Sequence, residues 1–409
     1  MKKTDWIIVF LASIYILFLP LAPSSKFEYL LVVIFLSIGL IYLIELICSE
    51  EKRKDFFIRL KPIFFSGFTV IFMLLILVML GSTIYSEDKI MSLKQSSRFI
   101  FYAGIYFIIR FRFDNEKIIE TIIKVYMSSV AFVGLIGLKE FISKFKVGQD
   151  IHDILVESRV SATLGHPNAY GVYLILAIFP AIIMFVRAKG KNKIKFLFLL
   201  VLISVNIAAT FSRNAWLALA IGILLLMVMY SWKYIFVYIV PAIFILFNPS
   251  ILGRITQLLD SDINEGRVRL WKMSEKIISD HVIFGVGSGS FMTVYKKYAV
   301  NFPEFQIAEA EVLPPHNTYI KMFVEMGIVG AMVFLLFCLS IVKQVYKIKD
   351  KCNGIVKDFY DGYIISVICF FIMNCFDDMF FAPKVTGGFI VFVSIAYTID
   401  TLKKKKEAI

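Results

Sequence analysis

The chain has 409 residues, of which 59% are hydrophobic and only 18% charged. That charge content is too low, and the apolar runs too long, for a soluble domain of this size. The net charge of +13 raises the question of a nucleic-acid partner. The cations, however, crowd alternate connections between apolar runs and form no single patch, a pattern that reports membrane topology instead.

Runs such as IFFSGFTVIFMLLILVMLG (63–81) and IKFLFLLVLISVNIAAT (194–210) are apolar on every side. In lipid the backbone must satisfy its own hydrogen bonds, so each run reads as a helix, and about 20 residues suffice to cross. The expected fold class is therefore all-α, a polytopic membrane protein with roughly twelve spans under that length rule. In chain order they fall near 5–22, 28–48, 63–81, 92–111, 118–141, 168–187, 194–211, 213–230, 232–248, 319–343, 359–380 and 386–402. The first, between Lys2–Lys3 and LAPSS, has some features of a signal peptide, but it is read as a span because the later spans need no cleaved leader.

Lysine and arginine gather in 49–62, 110–117, 187–195, 343–357 and the tail 403–406, whereas Lys26 and Lys384 stand alone in intervening connections. Positive loops stay in the cytoplasm, so both termini are expected inside. Two long connections, 142–167 and 249–318, then lie outside, where long loops on a compact scaffold usually carry function. The expected organisation is a membrane bundle over 1–248, an extracytoplasmic helical loop over 249–318, and three last spans with a basic tail over 319–409. All five cysteines lie in spans or inner connections, and none suggests a disulfide framework or a CxxC metal pair.

Candidate chemistry concentrates outside. In SATLGHPNAYG (161–171), Pro167 suits a first helical turn, Asn168 and Gly171 suit a close approach of a neighbour, and His166 reads as structural. Arg213, in the turn ATFSRNAW, either snorkels or holds an anion at the outer mouth. In GRVRLWKMSEKIISD, residues 267, 271, 274 and 278 share one helical face, and Arg267 lies one turn before Trp271. Arg269, Lys272 and Lys276 form a second, basic face, read either as a lipid-phosphate contact or as a diphosphate-binding wall. GVGSGS (285–290) lacks a following GK[ST] and reads as a tight turn. The acidic run DSD (260–262) with Glu265 is a weak metal candidate. His316 and Asn317 stand at the entrance of the tenth span, where Lys321 and Glu325, four apart, are expected to pair with each other. Asp377 and Asp378 lie near the outer end of the eleventh span, where a carboxylate needs an Arg or His partner or water.

Four segments in this order, SATLGHPNAYGVYL, FSRNAWLALAIG, GRVRLWKMSEKIISDHVIFGVGSGSF and PHNTYIKMFVEMGIVG, together resemble the O-antigen ligase and polymerase family of bacterial membrane glycosyltransferases. The resemblance by motif runs from 161 to 330; before that it rests on hydropathy alone. It implies a GT-C-like enzyme of the bacterial cytoplasmic (inner) membrane, its active site on the outer face. The expected donor is an undecaprenyl-diphosphate-linked glycan and the acceptor a saccharide, on lipid A core for a ligase or on a lipid-linked repeat for a polymerase. No cofactor and no metal are expected. The family's histidine matches His316, its outer-turn arginine matches Arg213, and its loop arginine matches Arg267 or Arg269. His316 is then the catalytic base, the arginines and Asn317 hold the diphosphate or substrate, and Asn168, Asp377 and Asp378 support them. The competing class is a transporter or flippase of lipid-linked oligosaccharide, which predicts internal repeats and polar groups at the midplane; neither is evident.

Overall fold

A computed structural model of the protein describes residues 3–22, 25–144, 159–235, 261–307 and 314–407. Among these residues the secondary structure is helical, with no strand. The helices are α1 (Lys3–Phe18), α2 (Ser25–Cys48), α3 (Glu50–Phe64), α4 (Gly67–Ser82), α5 (Lys89–Arg112), α6 (Glu116–Lys144), α7 (Pro167–Arg187), α8 (Lys191–Ala209) and α9 (Arg213–Met229). After them come α10 (Ser261–Asp280), α11 (Phe291–Asn301), α12 (Thr318–Ile348), α13 (Gly354–Met373) and α14 (Pro383–Glu407).

Side-chain caps start several of these helices where the sequence offers Ser, Asp or Asn. Ser66, Asp88, Ser212 and Asn317 each accept a backbone N–H from the first turn of α4, α5, α9 and α12. Outward faces stay apolar: Val33, Leu36, Leu40, Leu43 and Ile47 of α2 are all more than half-bare or close to it. Such a stripe is costly in water and ordinary in lipid. The chain is a multi-pass membrane protein, and among the described residues six helices are long and apolar enough to cross, or seven if the bent pair α3 and α4, at 70°, counts as one span. The count of twelve is not reached by this measure. The α1 and α9 helices have only 16 and 17 residues, α5 carries cations at both ends, α13 carries Lys357, Asp358 and Asp361 near its start, and 232–248 lies outside the described residues beyond the turn Trp232–Ile235.

The central helix is α7, buried along nearly its whole length between α8 and α13. Gly362 permits the approach of α13, since a Cβ there would strike the backbone of Phe179 and Pro180. One apolar core runs through the bundle from Ile8 to Ile399. A smaller one joins α10, α11 and Val324 of α12, so the helical hairpin α10–α11 sits on the end of the bundle where α12 begins.

The two ends of the bundle differ. At one end Arg112 pairs with Asp5 at 2.6 Å and Glu45 at 2.9 Å, and Arg187 with Asp358 and Asp361. Lys347 and Lys351 hold Asp400 at the same end, and Arg110 bonds the Tyr397 carbonyl there. The basic connections 110–117, 187–195 and 343–357 all belong to this end. The start of α12, the end of α13 and the starts of α7 and α9 meet at the other.

Candidate active site

At that second end the chain enters α12 through Pro315 and His316. The Asn317 side chain accepts from the N–H groups of Tyr319 and Ile320, so its amide is used as a helix cap. His316 is held with φ of 50°, in the left-handed region that a non-glycine residue rarely occupies. Neighbouring bonds impose it. The indole N–H of Trp271 donates to the Pro315 carbonyl at 2.8 Å, and Thr318 N–H donates to the carbonyls of Asn374 and Asp377. Strain of this kind is kept only where surrounding contacts over-determine it.

The His316 ring, about a quarter exposed, places Nδ1 3.4 Å from Oδ1 of buried Asp377. The distance is long for a charge-assisted bond, but the carboxylate has other donors. Asn168 Nδ2 donates to Oδ2 at 2.7 Å and Asp378 N–H to Oδ1 at 3.0 Å. Burial alone would push the Asp377 carboxyl up; the His316 ring, with the Asp378 and Asn168 donors, outweighs it and holds the group below the ordinary carboxylate value. Asn168 in turn accepts from Arg159 Nη2 at 2.7 Å and Ser212 Oγ at 3.0 Å. Arg159 Nε also donates to the Thr210 carbonyl.

Arg213 is the first residue of α9, between two residues that reach this cluster: Ser212 through Asn168, and Asn214 through the Met373 carbonyl. His166 caps α7, its Nδ1 accepting the Asn168 N–H at 3.1 Å. Burial, opposed by Asp377 and aided by Arg159 and His316, lowers its pKa below the usual histidine value. The structural reading of His166 describes this cap.

Asp378 faces away from His316. It takes Lys321 Nζ at 2.7 Å and the Thr318 hydroxyl at 3.2 Å. The expected Lys321–Glu325 pair is therefore absent. Lys321 lies over the Phe381 ring and reaches the turn after α13, where a partly exposed carboxylate is cheaper to keep charged than buried Glu325.

The hairpin separates the loop arginines. Arg269 is engaged, at 2.6 Å with Glu265 and 3.1 Å with the Gln306 carbonyl. Lys272 and Lys276 on the same face lie over Phe305 and Phe302. The basic face thus makes contacts within its own hairpin. Arg267 makes no hydrogen bond or ion pair among the described residues. It sits one turn before Trp271, on the face whose indole holds the His316 loop.

GVGSGS is a docking turn. Gly285, Gly287 and Gly289 all have positive φ. Gly327 breaks α12 at φ 62°, and a Cβ there would meet the Ile283 backbone. The break frees the Val324 and Glu325 carbonyls to accept from Val286 and Gly287, while Ile328 N–H returns to Val282. Asp260 of the acidic run lies outside the described residues, and no cluster of metal-ligating side chains occurs among those described.

Residues 198–335 match the family model described as O-antigen ligase. That stretch is similar to the O-antigen ligase family. No curated protein matches the chain. The matched stretch contains Arg213, Arg267, Arg269, Trp271, His316 and Asn317. Arg159, Asn168, Asp377 and Asp378 lie outside the matched stretch, yet Asp377 closes directly onto His316 and Asn168 reaches it through Asp377. Arg159, Ser212 and Asn214 escaped the reading of the sequence. The available signal was position: Arg159 immediately precedes the SATLGHPNAYG segment, and Ser212 and Asn214 flank Arg213.

Proposed function

We propose that the protein transfers a glycan from an undecaprenyl-diphosphate carrier to a saccharide hydroxyl at the outer face of the cytoplasmic membrane. The observation that carries this reading is the His316–Asp377 pair, joined through Asn168 to Ser212, the residue before Arg213, at the end of the bundle opposite the basic connections. Under the positive-inside rule those connections are cytoplasmic, which puts the pair outside. Sugar nucleotides are cytoplasmic, so the leaving group at such a site travels with its lipid.

In the step itself the acceptor oxygen attacks the anomeric carbon and forms the new glycosidic bond. The bond from that carbon to the diphosphate oxygen breaks, and the electron pair leaves on the diphosphate. The hydroxyl proton passes to His316 Nε2. A positioned base of this kind contributes about 10²–10⁴-fold. Asp377, anionic and fully supplied with donors, stabilises the imidazolium that forms. Arg213 and Arg267 offer donors to the departing diphosphate, a well-placed donor being worth roughly 3–4 kcal/mol in the transition state. Arg269, already engaged by Glu265, supports the hairpin in this scheme. The acceptor is a lipid-linked repeat or lipid A core, the choice that separates polymerase from ligase.

The test is reconstitution of the purified protein with lipid-linked glycan, nucleotide omitted and chelator present. Lengthened or transferred glycan, lost in Arg213→Ala, is the expected result. Movement of the donor across the bilayer with no new glycosidic bond would replace this reading with a flippase.

A further inference from the structure

The chain of contacts behind His316 leads to a residue outside the family match. Arg159 has only donors to offer, and its Nη2 lies 2.7 Å from one terminal atom of the Asn168 amide. That atom must therefore be the oxygen, and Ser212 Oγ approaches the same atom at 3.0 Å. The other terminal atom lies 2.7 Å from Asp377 Oδ2. An ionised carboxylate only accepts, so the amide nitrogen must face it. One amide orientation satisfies both neighbours, and the reversed one sets oxygen against carboxylate and NH2 against guanidinium. With Oδ2 supplied by Asn168 and the Asp378 N–H on Oδ1, the carboxylate is held facing His316 Nδ1 as an acceptor. The neutral ring then carries its proton on Nδ1, leaving the Nε2 lone pair open.

We propose that Arg159 is a positioning residue. Together with Ser212 it fixes the Asn168 amide, and through Asp377 it holds His316 in the Nδ1–H tautomer that a base acting through Nε2 requires. The inference rests on the proposed transfer reaction for its catalytic meaning, but the tautomer itself does not. Arg159 is suited to the task because its fork also grips the Thr210 carbonyl at 3.1 Å, two residues before Ser212. One planar group thus sets the loop and the amide together through two nitrogens in a fixed fork, a geometry that a lysine's rotatable ammonium lacks.

The experiment labels the four histidines with ¹⁵N in the full-length protein in lipid, at a pH where the His316 ring is neutral. It compares wild type with Arg159→Met/Ser212→Ala, and His316→Ala assigns the signal. Wild type is expected to show a protonated Nδ1 and a bare Nε2. The double variant is expected to lose that single tautomer, with turnover falling about 10–100-fold, the scale of lost orienting partners, and donor KM little changed. A folded double variant that keeps the single Nδ1–H tautomer overturns the proposal. Should it fail to fold, the single variant Arg159→Met carries the test, because it removes the guanidinium while Ser212 and the Asn168 amide stay in place. Loss of the tautomer there supports the proposal, and its persistence overturns it. Full transfer by His316→Ala would remove the catalytic reading while leaving the tautomer result standing, so the two failures are distinguishable.

Discussion

Asp377→Asn tests the dyad most sharply, because the exchange keeps shape and removes only acceptor capacity. The native carboxylate faces Asn168 Nδ2 at 2.7 Å, Asp378 N–H at 3.0 Å and His316 Nδ1 at 3.4 Å. An amide has one acceptor end and one donor end. If its oxygen meets Asn168, its NH2 faces the Asp378 N–H and His316, and the ring must present a lone pair from Nδ1. The proton then moves to Nε2, the nitrogen that should receive the acceptor's proton. Loss of a working base costs about 10²–10⁴ in turnover, or roughly 3–5 kcal/mol of barrier. The unmatched donor costs about 1–3 kcal/mol of stability. The assay is transfer from lipid-linked glycan, read as product on a gel, with thermal unfolding run beside it. A folded variant within about threefold of wild type, a small fraction of the expected loss, would refute the assignment.

Three further outcomes follow from the same geometry. Arg267→Ala should lower turnover by about 10²–10³, the effect of losing one transition-state donor, whereas Arg269→Ala, breaking an exposed pair, should cost only about 0–1 kcal/mol of stability; parallel kinetics and unfolding of the two variants check this. Trp271→Phe removes the indole bond to Pro315 and should cost about 0.5–1.5 kcal/mol, seen as reduced turnover with unaltered helix content by circular dichroism. His166 binds its proton more weakly in the folded chain than an unfolded histidine does. The stability this contributes is complete above the ordinary histidine value of about 6.5 and is lost as pH falls below it, levelling off once the folded group also protonates. His166→Asn, which keeps a good cap, should flatten stability against pH across that window, as read by thermal unfolding.

Much of the helical plan was legible because lipid leaves the backbone few choices, and an all-round apolar run can only be a helix. Six of the expected spans meet the length and hydropathy rule among the described residues, α2 and α7 with them, while α1, α9 and α5 do not. His316, Arg213 and the Asp377–Asp378 pair stood out as polar groups at apolar boundaries. Which carboxylate faced His316 was hidden, because it depends on a one-residue difference in the turn after α13. Lys321 illustrates the same limit: spacing of four offers Glu325 on its own helix, while tertiary packing delivers Asp378 instead. On the basic face of α10, the end of α11 and the turn after it bring Phe302 and Phe305 beneath the lysines, contacts that helical spacing alone does not give. Arg159 was invisible for a further reason: its partner Asn168 is nine residues away and their meeting requires the end of α8 between them.

The central claim is that His316 removes the acceptor's proton. Its most direct test is a single-turnover measurement on His316→Ala in lipid, with donor binding measured on the same preparation. Intact binding with transfer slowed at least about 100-fold is the predicted result. Transfer at the wild-type rate by the variant would contradict it.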